Sequence, residues 1–206
     1  MKVNTNAWNR IRYTIYTPIY DLIGKAFSAS RKASVESLEI KSGDKVLIVG
    51  AGTGLDLEFL QDDCEITLTD ITPAMLDKVW RRNLNLKKNI IVQVMDGQKL
   101  LFSDSSFDKI ILHLILAVIP DPVSCIKESE RVLKAGGKIA VFDKFVGRNK
   151  KAGILRKLLN IPANILASDI TRDFESIHRH TQLKIVSDTD ANFKGNFRRI
   201  LLKKDK

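Results

Sequence analysis

The stretch Val46–Gly54, which reads Val-Leu-Ile-Val-Gly-Ala-Gly-Thr-Gly, constrains the fold more than any other segment of this chain. Its four consecutive apolar residues are typical of a strand that is buried on both faces of a parallel sheet. Three glycines at alternate positions end that strand, and Leu55–Leu60 then predicts a helix. Glycine lets the backbone turn sharply and approach a ligand without an intervening Cβ atom. The segment therefore predicts a nucleotide-like ligand at the carboxyl edge of a parallel sheet.

The spacing of the glycines and a following carboxylate narrow the type of ligand. Gly50, Gly52 and Gly54 form the pattern G-x-G-x-G, and Leu55 stands where the dinucleotide fingerprint G-x-G-x-x-G has its third glycine. This difference disfavours a nicotinamide or flavin site. Asp70 ends the next apolar run. A carboxylate at the tip of the second strand can accept hydrogen bonds from both hydroxyls of a ribose.

Five segments, in their order and spacing, carry a resemblance to a known family. They are residues 46–54, 70–76 (Asp-Ile-Thr-Pro-Ala-Met-Leu), 95–98 (Met-Asp-Gly-Gln), 106–108 (Ser-Phe-Asp) and 131–138 (Arg-Val-Leu-Lys-Ala-Gly-Gly-Lys). Over roughly residues 38–143 the chain resembles the Rossmann-like, class I S-adenosylmethionine-dependent methyltransferases. One departure is Ile48, because the family usually has an acidic residue two positions before the first glycine. A polar anchor for the methionine end of the cofactor is therefore missing at that position.

The resemblance implies an α/β fold with a seven-stranded, mostly parallel Rossmann-like sheet in the order 3-2-1-4-5-7-6. Strand 7 is expected to be antiparallel, and helices are expected on both faces. We expect one methyltransferase domain over residues 1–206, with a helical cap (1–42), a cofactor-binding core (43–143), and a substrate-side insertion with a closing strand pair (144–206). The insertion is expected at 154–168, a short helix at 169–177, and the closing strands at 183–188 and 197–203.

The resemblance also implies which residues bind S-adenosylmethionine, whose product is S-adenosylhomocysteine. Asp70 would accept from the ribose, and Asp96 from the amino group of the adenine. Ile71 would pack on the adenine ring, although both Ile71 and Met75 can equally be ordinary core residues. The predicted cofactor-binding residues are Gly50, Ala51, Gly52, Thr53, Gly54, Asp70, Ile71, Met75, Asp96, Gly97, Gln98 and His113.

Three residues are predicted near the reacting atoms. His113 follows the fourth strand, where the family places residues near the methyl group, and its imidazole can orient or deprotonate a substrate. The alternative is a hydrogen-bonded structural histidine. Tyr20 and Asp143 are predicted to contact the substrate, and the alternative for Asp143 is a surface ion pair.

Residues 7–28 predict an amphipathic helix that bends or breaks at Pro18. Arg10, Arg12 and Lys25 add positive charge around its apolar stripe. The helix is either a lid over the cofactor cleft or a basic amphipathic element on anionic lipid, and the two roles are compatible. The stripe consists of Trp8, Ile11, Ile15, Ile19, Leu22, Ile23 and Phe27.

Within the core, the pattern predicts helices over 73–84 and 123–133. Gly136 and Gly137 are predicted to end the second helix, with one glycine in a left-handed cap. Arg81 and Arg82 are expected to be solvated surface charges. The two cysteines, Cys64 and Cys125, have neither metal nor redox spacing, and we predict no metal site.

The net charge of +10 is distributed unevenly along the chain. Residues 1–45 carry 8 basic and 4 acidic side chains, residues 46–143 carry 11 and 14, and residues 144–206 carry 15 and 6. Basic flanks suit an anionic membrane surface, a nucleic acid or an acidic metabolite, or they are simply solvated. We expect a cytoplasmic protein, either free or peripheral at the inner face of the membrane, and a monomer or weak dimer.

The sequence leaves three hypotheses for the function of the chain. No Asn/Asp-Pro-Pro-aromatic tetrad follows the fourth strand, which argues against methylation of the exocyclic amine of a nucleic-acid base. Within the family, the chain is most similar to bacterial phosphatidylethanolamine N-methyltransferases and to menaquinone and ubiquinone C-methyltransferases. This similarity predicts a lipid or another small amphiphile as substrate. The alternatives are an RNA methyltransferase that uses the basic C-terminal segment, and a non-catalytic cofactor-binding protein, which only Ile48 suggests.

Overall fold

Seven strands form one sheet in the part of the chain that the computed structural model describes, which is residues 4–148, 160, 168–192 and 196–206. The strands are β1 (Lys45–Val49), β2 (Glu65–Asp70), β3 (Ile90–Val94), β4 (Phe107–His113), β5 (Leu133–Lys144), β6 (Lys184–Asp190) and β7 (Phe197–Lys203). Their order in the sheet is β3-β2-β1-β4-β5-β7-β6. β7 is antiparallel to both of its neighbours, and the other pairs are parallel. The predicted order and strand directions are confirmed.

Six α-helices and one 3₁₀ helix surround this sheet in the described residues. The α-helices are α1 (Asn6–Tyr16), α2 (Tyr20–Lys25), α3 (Ser28–Glu36), α4 (Pro73–Leu86), α5 (Pro122–Val132) and α6 (Phe174–His178). The 3₁₀ helix spans Leu55–Phe59. Pro73 and Pro122 each occupy the first turn of a helix, where the missing N–H has no partner to lose.

Successive residues of β1 enter hydrophobic clusters on opposite faces of the sheet. Leu47 and Val49 pack in one cluster, while Val46 and Ile48 pack in the other. The first cluster includes side chains of α5 and α6, and the second includes side chains of α3 and α4. Burial on both faces explains why this strand is continuously apolar. The helices therefore cover both faces, as predicted.

The N-terminal region forms two short helices before residue 28 rather than one bent helix over 7–28. α1 ends at Tyr16 and α2 begins at Tyr20, with Pro18 between them. Pro18 cannot supply the backbone N–H that a continuous helix needs at that position, so the predicted break is correct. The sequence also predicts a second short helix from about residue 30 to residue 38, and α3 is that helix, although it begins and ends two residues earlier.

The segment after the glycines forms a single 3₁₀ turn rather than the predicted helix over Leu55–Leu60. Leu60 is already extended, with a ψ of 152°, and β2 begins at Glu65. The short connection leaves no room for several α-helical turns before the chain enters the next strand. Leu55 and Leu57 are buried, so the turn still contributes to the core.

The predicted helix cap at Gly136 and Gly137 is also wrong. α5 ends at Val132, and β5 begins at the next residue. The two glycines lie in an irregular part of β5, between the pairing of Leu133 with Phe107 and the pairing of Lys138 with Lys109. Gly136 has a φ of +77°, and a Cβ atom on Gly137 would lie 2.9 Å from the carbonyl oxygen of Asp108. The two glycines therefore allow an irregularity in the pairing of β5 with β4 rather than a helix cap.

The C-terminal predictions are confirmed only in part. β6 and β7 form the expected antiparallel pair, and the helix expected at 169–177 is the shorter α6. Asp173 caps α6, because its side chain accepts a hydrogen bond from the backbone N–H of Ser176. The predicted insertion at 154–168 lies outside the described residues, apart from positions 160 and 168.

A buried polar cluster joins α3, the 3₁₀ turn and the end of β4. One carboxylate oxygen of Asp56 accepts a hydrogen bond from the Arg31 guanidinium at 2.8 Å, and the other lies 2.8 Å from Nδ1 of His113. Nε2 of His113 lies 2.9 Å from the hydroxyl of Ser34. Burial alone would raise the pKa of Asp56, but the charges of Arg31 and His113, with their hydrogen bonds, hold it below its usual value. The cluster anchors the turn that follows the glycine loop.

We predict that Arg31→Met lowers the free energy of unfolding by about 3–5 kcal/mol, because it leaves the Asp56 carboxylate buried without its cation. Urea denaturation at neutral pH measures this loss. The matched control is Lys32→Met, which changes an exposed side chain on the same helix and should cost less than about 1 kcal/mol. Equal stability of the two variants would show that the cluster does not anchor the fold.

Candidate functional site

A cavity of about 60 Å³ lies at the carboxyl ends of β1, β2, β3 and β4, and we call it the edge cavity. The carboxyl edge is where open parallel sheets bind their ligands. Seven of the predicted cofactor residues line it: Gly50, Gly52, Asp70, Ile71, Met75, Asp96 and Gly97. The next lining residues are not among the predicted site residues, although Thr72 and Met95 stand in segments that carry the resemblance. They are Asn6, Asn9, Tyr13, Thr72, Met95, Leu114, Ile115, Val118, Ile119 and Pro120. The remaining lining residue is Tyr20.

The glycine loop needs glycine for two separate reasons. Gly50 and Gly52 have φ angles of +68° and +56°, and residues other than glycine rarely adopt this left-handed backbone conformation. A Cβ atom on Gly50 would lie 2.6 Å from Cδ1 of Ile115, and one on Gly52 would lie 3.2 Å from the ring of Tyr20. The backbone of the loop therefore lies directly against other walls of the edge cavity.

Asp70 lies at the end of β2 with its carboxylate in the edge cavity. One oxygen accepts the backbone N–H of Gly52 at 2.9 Å, and the other accepts the backbone N–H of Thr72 at 2.8 Å. Burial raises the pKa of Asp70, and these two hydrogen bonds oppose that rise. Each oxygen keeps acceptor capacity for a further donor. The arrangement suits the two adjacent hydroxyls of a ribose.

Asp96 already has a partner from the N-terminal helix. The side-chain amide of Asn6, in α1, donates to Asp96 at 2.6 Å. The backbone N–H of Gln98 donates to the same carboxylate at 2.9 Å, and the Gln98 side chain also donates to it. An exocyclic amino group of adenine is a donor of the same kind as the Asn6 amide. The chain therefore places its own amide where the family resemblance expects the base.

Three further residues predicted to bind the cofactor belong to the glycine loop but do not contact the edge cavity. Ala51, Thr53 and Gly54 lie in the loop without lining the cavity. The Thr53 hydroxyl donates to Asp21, and the Thr53 carbonyl accepts from Arg82 at 3.0 Å. Arg82 is therefore not the solvated charge that the sequence predicts, since its guanidinium also pairs with Asp21 at 2.8 Å. These contacts tie the loop to α2 and α4.

His113 does not line the edge cavity. Its side chain is buried, and both ring nitrogens lie within hydrogen-bond distance of Asp56 and Ser34. The structure therefore supports the structural alternative for this histidine and argues against contact with cofactor or substrate. Only the fold brings Asp56 to His113, because the two residues are far apart in sequence.

A second cavity of about 370 Å³ adjoins the first, and we call it the aromatic cavity. The two cavities share Tyr13, Tyr20, Leu114 and Val118 as lining residues. The remaining wall of the aromatic cavity consists of Tyr16, Ile19, Gly24, Phe27, Ala117, Asp143, Lys144, Ser168 and Phe197. Both residues predicted for the substrate, Tyr20 and Asp143, are thus part of this cavity.

Asp143 is a buried residue rather than part of the surface ion pair that the sequence leaves open. Its carboxylate accepts the backbone N–H of Ala117 at 3.0 Å and that of Lys144 at 2.7 Å. Burial raises its pKa to about 6, which these hydrogen bonds and the charge of Lys144 only partly oppose. Burial also raises the pKa of Tyr13 and Tyr20, so both phenols are neutral at neutral pH.

The described part of the chain contains neither a cluster of metal ligands nor a helix that could span a membrane. Among those residues, no group of three His, Cys, Asp or Glu side chains could hold a metal ion. Cys64 and Cys125 are free thiols and buried. No described helix has the length and apolar character that crossing a membrane requires. Our prediction that no metal takes part stays a prediction.

Comparison with known proteins agrees with this geometry. Residues 47–141 match a family described as "Methyltransferase domain". The chain is 27% identical to a phosphatidylethanolamine N-methyltransferase of Cereibacter sphaeroides over 184 residues, covering 87% of this chain and 89% of the relative. It is 31% identical to a demethylmenaquinone methyltransferase of Tropheryma whipplei over 144 residues, covering 69% of this chain but only 59% of the relative. A crystal structure of a SAM-dependent methyltransferase from Aquifex aeolicus shares the fold, with a TM-score of 0.60, 17% identity, and coverage of 84% and 88%.

The strand order, the glycine loop and these relatives lead to one conclusion. Residues 47–141 form a methyltransferase domain, and the chain is an S-adenosylmethionine-dependent methyltransferase with the class I fold. S-adenosylmethionine is accordingly the cofactor that this methyltransferase is built to use. Ile48 is buried in β1, so the carboxylate that the family usually places there is replaced by a core side chain.

The polar groups of the edge cavity suit this cofactor, but the cavity of about 60 Å³ must widen to admit it, since pockets for ligands of this size measure at least about 300 Å³. Asp70 offers acceptors for the ribose, and Asp96 offers an acceptor for the adenine amino group. The left-handed glycines at positions 50 and 52 remove the Cβ atoms that would obstruct the approach of a ligand to the loop. We infer that these residues, with Ile71 and Met75 as apolar neighbours, hold the cofactor.

We predict that Asp70→Ala weakens S-adenosylhomocysteine binding at least about tenfold, because a charged acceptor of two hydrogen bonds is lost. Calorimetric titration measures this affinity, and the melting temperature verifies the fold. The control is Asp77→Ala, which removes an exposed carboxylate of α4 and should leave affinity unchanged. Unaltered binding by a folded Asp70→Ala variant would remove Asp70 from the site.

Proposed function

We propose that this methyltransferase transfers a methyl group to a small amphiphilic or lipid substrate held in the aromatic cavity. The observation that carries the proposal is the shared wall of the two cavities. One cavity has the carboxylates and glycines suited to the cofactor, and the other is lined mainly by aromatic and aliphatic side chains. A substrate in the second cavity would therefore lie beside the cofactor in the first.

The protein contributes to the reaction by holding the cofactor and the methyl acceptor in position and by excluding water. The cofactor supplies a sulfonium-bound methyl group and a good leaving group. Asp70 and Asp96 would fix the cofactor from one side, while Tyr13 and Tyr20 would border both reactants. Holding donor and acceptor in line at short distance accounts for a large part of the rate in reactions of this type.

The outer surface of the N-terminal helices supports a substrate presented by a membrane. Four residues of the apolar stripe, Ile11, Ile15, Ile19 and Leu22, are between 54% and 80% exposed. Ile19 also lines the aromatic cavity, so the stripe reaches the wall of the substrate site. Arg10 and Lys25 are exposed beside it. This surface suits insertion into an anionic bilayer interface, at ~1 kcal/mol for each basic residue near the headgroups.

Two details refine the prediction for the N-terminal region. Arg12 is buried rather than at the polar boundary of the helix, and its guanidinium donates to Asn9 and lies 5.0 Å from the centre of the Tyr13 ring. The inner face of α1 thus covers the edge cavity through Asn6, Asn9 and Tyr13. These contacts support a lid whose outer face meets lipid.

The RNA alternative receives less support from the described residues. Arg148 and Arg198 both pair with Asp188, and Arg172 pairs with Asp169. These ion pairs neutralise part of the basic C-terminal segment on which phosphate binding would depend. An amphiphile therefore remains our proposal.

A methyl-transfer assay tests the proposed function. The protein is incubated with methyl-labelled S-adenosylmethionine and, separately, with total lipid and total RNA from the same cells. We expect label in the lipid fraction and no label with Asp70→Ala. Label confined to RNA, or no transfer to either fraction, would contradict the proposal.

We also predict that the double variant Ile11→Glu, Ile15→Glu loses at least about tenfold in binding to vesicles of equal parts phosphatidylglycerol and phosphatidylcholine, since two exposed apolar groups no longer enter the interface. Vesicle co-sedimentation measures this loss. Cofactor affinity should stay within about threefold of the wild-type value, because substitutions of exposed residues rarely disturb the fold. The control replaces Leu84 and Leu101, which are more exposed than Ile11 and Ile15 but lie outside the stripe, with glutamate. Equal loss in both double variants would contradict a specific lipid surface.

A further inference from the structure

The two relatives described above leave the acceptor atom open, because one methylates nitrogen and the other is a quinone-pathway enzyme by name. The aromatic cavity itself contains a group that separates these possibilities. Asp143 lines it, and the residue is only 1% exposed. Its carboxylate accepts hydrogen bonds from the backbone N–H groups of Ala117 and Lys144, and the charge of Lys144 acts on its pKa, but none of the ion pairs found among the described residues involves it. A buried carboxylate without an ion-pair partner is costly, and an apolar substrate would do nothing to offset that cost.

The walls around Asp143 suit a positively charged ligand. Tyr13, Tyr16, Tyr20, Phe27 and Phe197 all line the cavity. The centres of the Tyr13 and Tyr20 rings are 6.2 Å apart, and those of Tyr13 and Tyr16 are 6.3 Å apart. Aromatic faces attract ammonium groups, including the methylated ones that successive transfers would produce. A cavity lined by aromatic rings would bind the amine both before and after it is methylated.

The same tyrosines connect Asp143 to the cofactor side. Burial raises the pKa of both Tyr13 and Tyr20, and the charges of Asp70 and Asp143 add to that rise. Both phenols therefore lie within electrostatic range of a carboxylate in each cavity. A cation beside Asp143 would therefore lie next to the residues that the two cavities share, which include Tyr13 and Tyr20.

A neighbouring cation limits which amine could bind. Lys144 lines the aromatic cavity, and its ammonium donates to the hydroxyl of Ser168 at 2.6 Å. A ligand with only a positive charge would be repelled by this side chain. A ligand that carries an anionic group beside its amine would find a partner for each charge.

We propose that the methyl acceptor is a zwitterionic amine, with its ammonium group between Asp143 and the tyrosine rings and its anionic group facing Lys144. This inference rests on the proposed function and assigns N-methylation to the aromatic cavity. The ammonium gives one proton to the Asp143 carboxylate, and the freed lone pair forms a bond to the methyl carbon. The bond between that carbon and sulfur breaks, its electron pair stays on sulfur, and the products are the methylated amine and S-adenosylhomocysteine.

Binding of three matched probes to the wild-type protein gives the first test. Below their micellar concentrations, calorimetry compares zwitterionic dodecylphosphocholine, its anionic carbon isostere, in which carbon replaces the ammonium nitrogen, and cationic dodecyltrimethylammonium. We expect dodecylphosphocholine to bind at least about tenfold more tightly than either of the others. Equal binding of the carbon isostere would overturn the role of the ammonium, and equal binding of dodecyltrimethylammonium would overturn the role of the anion.

Variants identify the residues responsible. Asp143→Asn should abolish the preference for dodecylphosphocholine over its anionic carbon isostere while cofactor affinity is retained. Tyr16→Leu should weaken dodecylphosphocholine about threefold, whereas Tyr16→Phe, which keeps the ring, should not. Should Asp143→Asn fail to fold, the Tyr16 pair decides, and equal weakening in both Tyr16 variants would overturn the aromatic contact.

Transfer of labelled methyl groups separates this inference from the function on which it rests. The acceptors are lysophosphatidylethanolamine and a demethylated naphthoquinol of matched chain length. Label in the amine alone supports the inference. Label in the quinol alone would overturn it and leave the proposed function intact, whereas transfer to neither acceptor nor to total lipid would overturn both.

Discussion

The buried ion pair between Arg31 and Asp56 is the contact on which the rest of the site depends. Asp56 lies in the turn directly after the glycine loop, and its carboxylate joins that turn to α3 and to His113 at the end of β4. Charged groups at this depth are stable only when each has its partner. The cluster therefore fixes the loop from behind, while the opposite side of the loop remains available to a ligand.

On that opposite side, the N-terminal helix completes the edge cavity. The inner face of α1 contributes Asn6, Asn9 and Tyr13, and the Asn6 amide occupies an acceptor site on Asp96. Cofactor binding through Asp96 must displace this hydrogen bond or share the carboxylate with it. The outer face of the same helix carries the exposed isoleucines. One short segment thus borders the edge cavity, the aromatic cavity and the surface that we propose meets lipid.

The local part of this site could be predicted from the sequence. Gly50, Gly52 and Asp70 follow directly from a strand, a turn and a second strand, because each lies at the end of its own element. The walls made by distant segments could not be predicted. Asn6 meets Asp96 across 90 positions of the chain, and no local pattern indicates such a contact.

The departures from the sequence predictions have similar physical causes. For His113 in its apolar run the sequence leaves a reactive and a structural role open, and only the fold shows that Asp56 and Ser34 lie within hydrogen-bond distance of its two ring nitrogens. Two adjacent glycines after a helix resemble a cap, yet Gly136 and Gly137 allow a bulge between two strands that pair in shifted register. Arg82 lies in a charged run, but its partner Asp21 comes from α2. In each case a tertiary contact overrides a local pattern.

A crystal structure of the protein with S-adenosylhomocysteine tests the central claim most directly. The account predicts the ribose hydroxyls on the Asp70 carboxylate and the adenine amino group on Asp96, with the Asn6 side chain displaced from its present hydrogen bond. The thioether should face the wall that contains Tyr13 and Tyr20. A ligand bound elsewhere, or an edge cavity that stays closed by Asn6 with no ligand in it, would contradict the account.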